Sequence, residues 1–299
     1  MDTVLVDDVL HRFVLERAGV RGVYVRLGPA WREVAGRADY PAPLRRLLGE
    51  GMVASALLTG NIKLDGALSL ELKSGGALRL LFAECNDRGR LRGLARWSDP
   101  LPQPLDLAAL PEAIMAITIG HAERGQRYQG LVDLQQADLA ASLETYFMLS
   151  EQLPARIMLA ADGEQAVGLM LQKLPGDGGH DAVHDDDAWG RVLHLTATLG
   201  AAELLATAPE QLLYRLYHEE SVRLHEPRPL AFGCSCTRER VESMLRSLGR
   251  DEVEAALAAR DGEVEVICEF CAQRYTFDRI DVEHLLSGSA AASAPTTAQ

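Results

Sequence analysis

The sequence predicts an α+β protein with an N-terminal mixed α/β domain, a helical linker and a small C-terminal zinc-binding domain. Three observations lead to this prediction. Strand-length apolar segments are mixed with helical apolar stripes over residues 1–175. The excess of acidic residues lies after residue 175, and four of the five cysteines lie in the last quarter of the chain. We place the domains at 1–175, 176–230 and 231–288, followed by a tail at 289–299.

The first domain combines both kinds of regular structure. Apolar residues recur with helical spacing from Leu139 to Phe147, and the stretch from Pro43 to Ile62 is also predicted to be helical. Strands with turn residues at their borders are predicted at 68–73, 77–84, 91–97, 114–119 and 156–161. These strands cluster in the middle of the sequence, which indicates an α+β fold. The domain shows neither a phosphate-binding glycine loop nor a Ser/His/Asp spacing, so we do not predict an enzyme.

The charge of the chain argues against a nucleic-acid binder. Its 299 residues include 43 acidic and 30 basic side chains, which give a net charge of -13 and a pI near 5.1. Such a protein repels a phosphate backbone. No apolar run approaches the roughly 18 residues that cross a membrane, and the acidic start does not resemble a secretory signal. We therefore expect a cytoplasmic protein with reduced thiols and with no nucleic-acid or membrane partner. The uncharged tail is predicted to be disordered.

Residues 176–230 are predicted to form a helical, metastable linker. The segment begins with a Gly/Asp-rich loop, and the residues from Asp185 to Asp187 are placed to cap a first helix. A second helix is predicted after Pro209, with an apolar stripe from Leu212 to Tyr217. Two short helices cannot form a core alone. We therefore expect their apolar sides to rest on the first domain, and the linker to be among the less stable parts of the molecule.

The cysteines carry the chemistry. Two close pairs, Cys234-Ser-Cys236 and Cys268-Glu-Phe-Cys271, are separated by 31 residues. In a reducing compartment this pattern indicates a metal site rather than disulfides. Strand-like runs on both sides of the second pair place it at the tip of a hairpin, and four thiolates suit a tetrahedral zinc ion. The sequence therefore predicts structural Zn²⁺ bound by Cys234, Cys236, Cys268 and Cys271.

The size of the C-terminal module makes it dependent on that metal. Its 58 residues are in the range where a hydrophobic core alone is marginal. Structural zinc contributes about 10–16 kcal/mol in small peptides, which exceeds the net stability of a typical domain. Oxidation of the thiols would remove the ligands, so we expect it to unfold the module and then the linker. Arg238, Arg240 and Arg274 are close enough in sequence to offset the negative charge of the thiolates.

Three further stretches accompany the cysteine pattern, namely Arg127–Gly130, Tyr146–Pro154 and Leu213–Glu220. Together with the cysteines they resemble the 33 kDa chaperonin family of bacterial redox-regulated heat-shock chaperones, over essentially the whole chain to about residue 286. The resemblance implies a cytosolic, ATP-independent holdase that is inactive when reduced and zinc-loaded. It assigns client binding and dimerisation to residues 1–175 and the redox switch to residues 231–288.

The resemblance also implies what happens during oxidative and heat stress. The redox-active thiols are expected to form the disulfides Cys234–Cys236 and Cys268–Cys271 and to release zinc. The linker then unfolds, and the protein binds unfolding client proteins as a homodimer.

Two other functions are compatible with the cysteines. A dithiol-disulfide oxidoreductase would use Cys268 and Cys271, but thioredoxin-like sites place C-x-x-C at the start of a helix, and here a strand is predicted to follow. A zinc-ribbon module that binds nucleic acid or the ribosome is disfavoured because residues 231–288 hold seven basic and twelve acidic residues, a balance of -5.

The remaining candidate residues are interpreted as structural. Cys85 follows a strand-like run and is expected to be a small buried residue rather than a sensor. His180 and His184 lie in a glycine-rich setting that favours a solvated loop over a metal site. His218 and His225 are not needed as ligands, because four sulfurs already satisfy zinc.

Overall fold

The computed structural model describes residues 6–121, 127–174, 187–260 and 262–287 of the chain. The protein divides into two compact units, with the boundary between Gly233 and Cys234. The tail predicted at 289–299 lies outside the described residues, as do His180, His184 and the first residues of the predicted linker.

The first unit contains strands from both ends of its sequence. They are β1 (Val9–Leu15), β2 (Val20–Leu27), β3 (Gly66–Lys73), β4 (Leu78–Asn86), β5 (Arg90–Trp97), β6 (Ile114–His121), β7 (Arg127–Val132), β8 (Ala155–Ala161), β9 (Ala166–Lys173), β10 (Val222–Leu224), β11 (Arg228–Pro229) and β12 (Ala231–Phe232). Its α-helices are α1 (Pro29–Ala35), α2 (Ala42–Asn61), α3 (Leu139–Tyr146), α4 (Ala188–Ala197), α5 (Ala201–Ala206) and α6 (Pro209–Tyr217). Short 3₁₀ turns lie at Leu107–Ala109 and His218–Glu220, and a π-helical turn lies at Phe147–Glu151.

These strands form two six-stranded sheets. The first sheet has the order β10-β1-β2-β9-β8, with β11 also paired to β1, and its pairings are antiparallel. The second has the order β12-β5-β4-β3-β6-β7, in which β12 runs parallel to β5 and the other pairs are antiparallel. The predicted α+β class is confirmed.

Helix α2 is packed between the two sheets and is buried along most of its length. Small residues allow this close approach. A Cβ atom on Gly49 would lie 2.6 Å from the Cβ atom of Ala161, and one on Gly60 would lie 2.8 Å from Leu10. Proline in the first turn suits the start of the helix because that turn has no partner for a backbone N–H. Helix α2 therefore forms the centre of the main core.

Helices α4, α5 and α6 cover the opposite face of the first sheet. Side chains alternate along β1, so that Leu10 faces α2 while Phe13 and Leu15 join the apolar cluster beneath these helices. Within that cluster Leu212 and Tyr217 are 0% exposed, and the Tyr217 hydroxyl lies 2.7 Å from Thr196 Oγ1. The described residues of the predicted linker thus belong to the first compact unit, while its role as a separate, metastable segment remains a prediction.

A buried arginine also ties this helical layer to the sheet. Arg26 on β2 is 0% exposed, and its Nη2 donates to the Leu205 carbonyl oxygen at 2.6 Å. Its Nε atom is 3.2 Å from Oδ1 of Asp7. The helices are therefore held by directional polar contacts as well as by apolar burial.

The second unit is small. Its elements are α7 (Arg238–Leu248), α8 (Arg250–Ala259), β13 (Glu263–Ile267), β14 (Arg274–Asp278) and α9 (Arg279–Ser287). Strands β13 and β14 form an antiparallel hairpin. Its apolar cluster is made of the buried residues Val241, Leu245, Val253, Leu257, Val264, Phe277, Val282, Leu285 and Leu286.

The structure confirms the predicted helices and strands of the first domain to within two residues at each end, and it corrects two expectations. Strands do not cluster in the middle of the sequence, because β1 and β2 precede it and β9 follows. Strands β2 and β9 are buried on both faces, so they lack the alternation by which a half-exposed strand is detected. The described part of the predicted linker, residues 187–230, contains three α-helices rather than two, since the six-residue α5 is too short to show a helical period, and it also contains the short strands β10 and β11.

Candidate metal centre

The hairpin places one pair of cysteines at its tip. In its register the last pair is Ile267 with Arg274, and the residues between them form the turn. The Cys268 backbone N–H donates to Gln273 O at 2.9 Å, and the Ala272 N–H donates to Cys268 O at 2.8 Å. Both side chains of the C-x-x-C motif therefore project from one short, internally bonded turn, as the sequence predicted.

The second pair lies in the extended segment that leads into α7. The Thr237 side chain caps this helix by accepting from the Arg240 backbone N–H at 3.3 Å. The Arg240 guanidinium donates to the Ser235 carbonyl oxygen at 2.7 Å. The backbone between Cys234 and Cys236 is thus fixed from the helix side.

The four cysteine side chains converge. Their Sγ atoms all lie within 4.8 Å of one another, all four are free thiols, and all are partly exposed. The distance is 3.6 Å between Cys234 Sγ and Cys268 Sγ, and 3.3 Å between Cys236 Sγ and Cys271 Sγ. Four sulfurs around Zn²⁺ with bonds of about 2.3 Å would be about 3.8 Å apart. We call this group the cysteine cluster; it is positioned to bind a metal ion, and its donor set and spacing fit zinc.

The crowding of the thiols affects the acidity of Cys271. Partial burial and then hydrogen bonds with the neighbouring thiols raise the pKa of Cys271 to about 12. Cys271 is therefore hard to ionise without a cation. A divalent ion reverses this preference, because the thiolate is the form that binds it.

A tyrosine supports the cysteine cluster, and sequence reasoning missed it. The Tyr275 hydroxyl donates to Cys236 Sγ at 3.2 Å, and this bond is the main reason that the pKa of Tyr275 is raised to about 12. Hydrogen bonds of this kind orient metal ligands and tune their basicity. The available signal was the aromatic residue on the strand that leaves the C-x-x-C turn.

The nearby arginines are largely engaged elsewhere. The Arg238 guanidinium lies 4.2 Å from the centre of the Phe277 ring and 2.8 Å from an Asp281 carboxylate oxygen. Arg274 forms an ion pair with Glu265. Their charges are thus shared with carboxylates, whereas the Arg240 guanidinium bonds inside the C-x-C motif; the compensation of thiolate charge by these arginines remains a prediction.

The other candidate residues belong to the first unit and are not members of the cysteine cluster. Cys85 is 1% exposed, and burial raises its pKa to about 12, which describes an unreactive core thiol. His218 and His225 are exposed residues of the first unit. Among the described residues, the group with metal-ligand geometry consists of the four cysteines. No described helix is both long and apolar enough to span a bilayer.

The fold and the cysteine cluster define an α+β protein with a four-thiol centre in a small C-terminal unit. The family described as Hsp33 protein matches residues 8–278. The 33 kDa chaperonin of Ectopseudomonas mendocina is 45% identical over 285 residues, covering 95% of this chain and 96% of that protein. That of Nitrosococcus oceani is 42% identical over 290 residues, covering 97% and 98%. The chain belongs to the Hsp33 family, which confirms the resemblance drawn from the sequence.

A solved structure supports the fold. The crystal structure of the 33 kDa chaperonin from Thermotoga maritima aligns with a TM-score of 0.81 at 21% identity, over 96% of this chain and 100% of that one. The arrangement of sheets and helices described above is therefore that of a known chaperonin structure.

Proposed function

We propose that this chain is a redox-regulated, ATP-independent holdase that binds unfolding proteins under oxidative and heat stress. The observation that carries the proposal is the cysteine cluster, in which two pairs from distant parts of the sequence meet within 4.8 Å. Family membership supports the chaperone role. The proposed location is the cytoplasm, and the proposed activity is binding rather than catalysis.

In the reduced protein, Cys234, Cys236, Cys268 and Cys271 would hold Zn²⁺. The ion, when bound, ties the segment before α7 to the β13–β14 turn. Without that tie, the second unit depends on an apolar core, to which its described residues contribute nine buried side chains. A core of that size is marginal, so loss of the four thiolates would unfold the unit.

Oxidation removes the thiolates as pairs. A thiolate attacks a peroxide oxygen, which breaks the O–O bond and gives a sulfenic acid and hydroxide; the hydroxide takes up the proton that the thiol released and becomes water. The second thiol then attacks the sulfenic sulfur and displaces a second water to form the disulfide. Each dithiol thus loses two electrons and two protons, and the peroxide is reduced to two waters. The proposed disulfides, Cys234–Cys236 and Cys268–Cys271, close loops of only a few residues. They restrict the unfolded chain too little to replace the lost tie.

The proposed client surface is the apolar face beneath α4, α5 and α6. Phe13, Leu15 and Tyr24 are at most 1% exposed while these helices are in place. Unfolding of the linker, residues 176–230, would expose this face on the 1–175 domain, and exposed apolar patches bind unfolded chains. The same exposure favours the homodimer proposed for the oxidised form.

The experiment compares the reduced, zinc-loaded protein with protein treated with hydrogen peroxide during mild heating. We expect zinc release, loss of four thiols, and suppression of light scattering by a thermally unfolding client enzyme, all on one time course. Cys85→Ala is the matched control and should behave like the parent chain, whereas Cys268→Ser should retain less zinc. Zinc release and disulfide formation without any gain in client protection would refute the proposal.

A further inference from the structure

A basic cavity lies in the first unit, and none of its lining residues belongs to the cysteine cluster. Its volume is about 490 Å³, and its lining includes four cationic side chains, Arg12, Arg21, Lys63 and Arg228, but a single acidic one, Asp87. The first unit as a whole holds 23 basic and 31 acidic residues. A local excess of positive charge in an acidic unit is therefore a feature that composition does not explain.

The fold brings these cations together from distant parts of the sequence. Arg12 on β1 and Arg21 on β2 lie on one face of the first sheet, two residues apart in the register. Strand β11 adds Arg228 on the other side of β1, where it pairs with Leu10. Lys63 follows the C-terminus of α2.

The three guanidinium groups bond to neutral acceptors. Arg12 Nε donates to Gly60 O at 2.7 Å, Arg228 Nη2 donates to Asp87 O at 2.6 Å, and Arg21 donates to Gln172 Oε1. Within residues 6–121, 127–174, 187–260 and 262–287, no carboxylate lies within 4.0 Å of any of the four cations. Several of the N–H donors around the cavity are thus available to a ligand.

Capping of α2 accounts for only part of this charge. A helix C-terminus is equivalent to about half a negative elementary charge. At α2 this charge is already compensated by Arg12, which donates to the Gly60 carbonyl oxygen. The carboxylate of Asp87 contributes one more negative charge. Four cations therefore leave an excess of between two and three positive charges around the cavity.

We propose that this cavity binds the phosphate groups of a small, multiply charged phosphate compound. Guanidinium groups present paired N–H donors that match phosphate oxygens, and a phosphate chain supplies the negative charge that the site lacks. The mutual repulsion of the cations supports this assignment: burial and then Arg228 lower the pKa of Arg12, and burial and then Arg12 lower the pKa of Arg21. A bound anion would relieve that repulsion.

The proposal has a structural consequence that is independent of the cysteine cluster. Arg228 and Arg12 lie on neighbouring strands, and β11 belongs to the segment 176–230 that we interpret as the linker. A phosphate bound by both would hold β11 against β1. Ligand binding should therefore slow backbone hydrogen exchange at the β1–β11 pairing.

The test uses the full-length, reduced, zinc-loaded protein and sodium tripolyphosphate as the probe, at low salt. Calorimetry should show binding that weakens as salt rises, with zinc content measured afterwards. Arg12→Gln and Arg228→Gln should each weaken binding at least about tenfold, the effect of losing a hydrogen bond to a charged group. The matched control is Arg79→Gln, an exposed arginine on β4 outside the cavity, which should bind like the parent chain.

Arg228→Gln keeps the test informative if Arg12→Gln destabilises α2, because Arg228 does not bond to that helix. No binding at millimolar tripolyphosphate, or an equal loss in Arg79→Gln, would overturn the proposal. A parallel titration with ATP identifies the source of the phosphate groups. Equal affinity assigns the recognition to the phosphate chain alone, whereas tighter binding assigns part of it to the nucleoside; both results support the site.

Discussion

Replacement of Leu212 by alanine should loosen the helical layer that covers the first sheet. Leu212 on α6 is 0% exposed and belongs to the apolar cluster under α4, α5 and α6. Replacement of a buried leucine by alanine lowers the free energy of unfolding by roughly 2–5 kcal/mol, and we expect about 3 kcal/mol here. If α4, α5 and α6 detach from the sheet while the rest of the first unit stays folded, the equilibrium constant for this opening rises about 100-fold. The reduced, zinc-loaded variant should then expose part of the proposed client surface without oxidant.

Two measurements check this expectation on the reduced protein. Hydrogen exchange in α4 to α6 should speed up more than exchange in α2, and the variant should partly suppress client aggregation. The matched control on the same helix is Tyr214→Ala, because Tyr214 is 68% exposed and its ring contacts only His218 among the described aromatic residues. An equal increase in exchange throughout the first unit would refute the reasoning, because it would mean that the layer and the sheet unfold together.

Three further outcomes are expected. Burial raises the pKa of Glu50 from 4.5 to about 7, so the parent chain should lose about 3 kcal/mol of stability relative to Glu50→Gln as pH rises from 4.5 through 7. Urea unfolding at several pH values measures this, with the exposed Glu33→Gln as control; a pH-independent difference would contradict it. Tyr275→Phe removes the hydrogen bond to Cys236 and should raise the rate at which peroxide oxidises the thiols by about threefold to tenfold. An unchanged rate would show that this hydrogen bond does not protect the sulfur from oxidation. In metal-free protein whose first unit is folded, iodoacetamide at pH 8 should modify four thiols and spare Cys85. Mass spectrometry counts the modified thiols. A fifth modified thiol would be inconsistent with the burial of Cys85.

The parts of the fold that local patterns control were predictable. Helix α2 follows from a long apolar stretch with proline at its start, and the β13–β14 hairpin follows from two strand-like runs around the C-x-x-C motif. Strands β2 and β9 were missed because both of their faces are covered, β2 by α2 and by the α4–α6 layer. Coverage of both faces results from tertiary packing, and it removes the alternation of buried and exposed residues by which a strand is predicted from sequence.

For the two sites, too, local sequence motifs were predictable, whereas contacts between residues distant in sequence were not. Each cysteine pair was visible as a motif, but the meeting of Cys236 with Cys271 depends on how α7, α8 and the hairpin pack. The bond from Tyr275 to Cys236 depends on side-chain direction in β14. The basic cavity has no sequence motif, because Arg12 and Arg228 are brought together by strand pairing across more than 200 residues of sequence.

The size of the two cores supports the proposal that oxidation acts first on the second unit. The main core around α2 draws on two sheets and several helices, whereas the described residues of the second unit include nine buried apolar side chains. Hydrophobic stabilisation scales with buried apolar area, so we expect the main core around α2 to persist without the cysteine cluster and the core of the second unit to be lost. The four thiols are also partly exposed, so peroxide can reach them, while Cys85 in the main core is shielded. Under the proposed mechanism, the exposed sulfurs lie in the unit whose small core depends most on them, and the buried thiol of Cys85 lies in the main core.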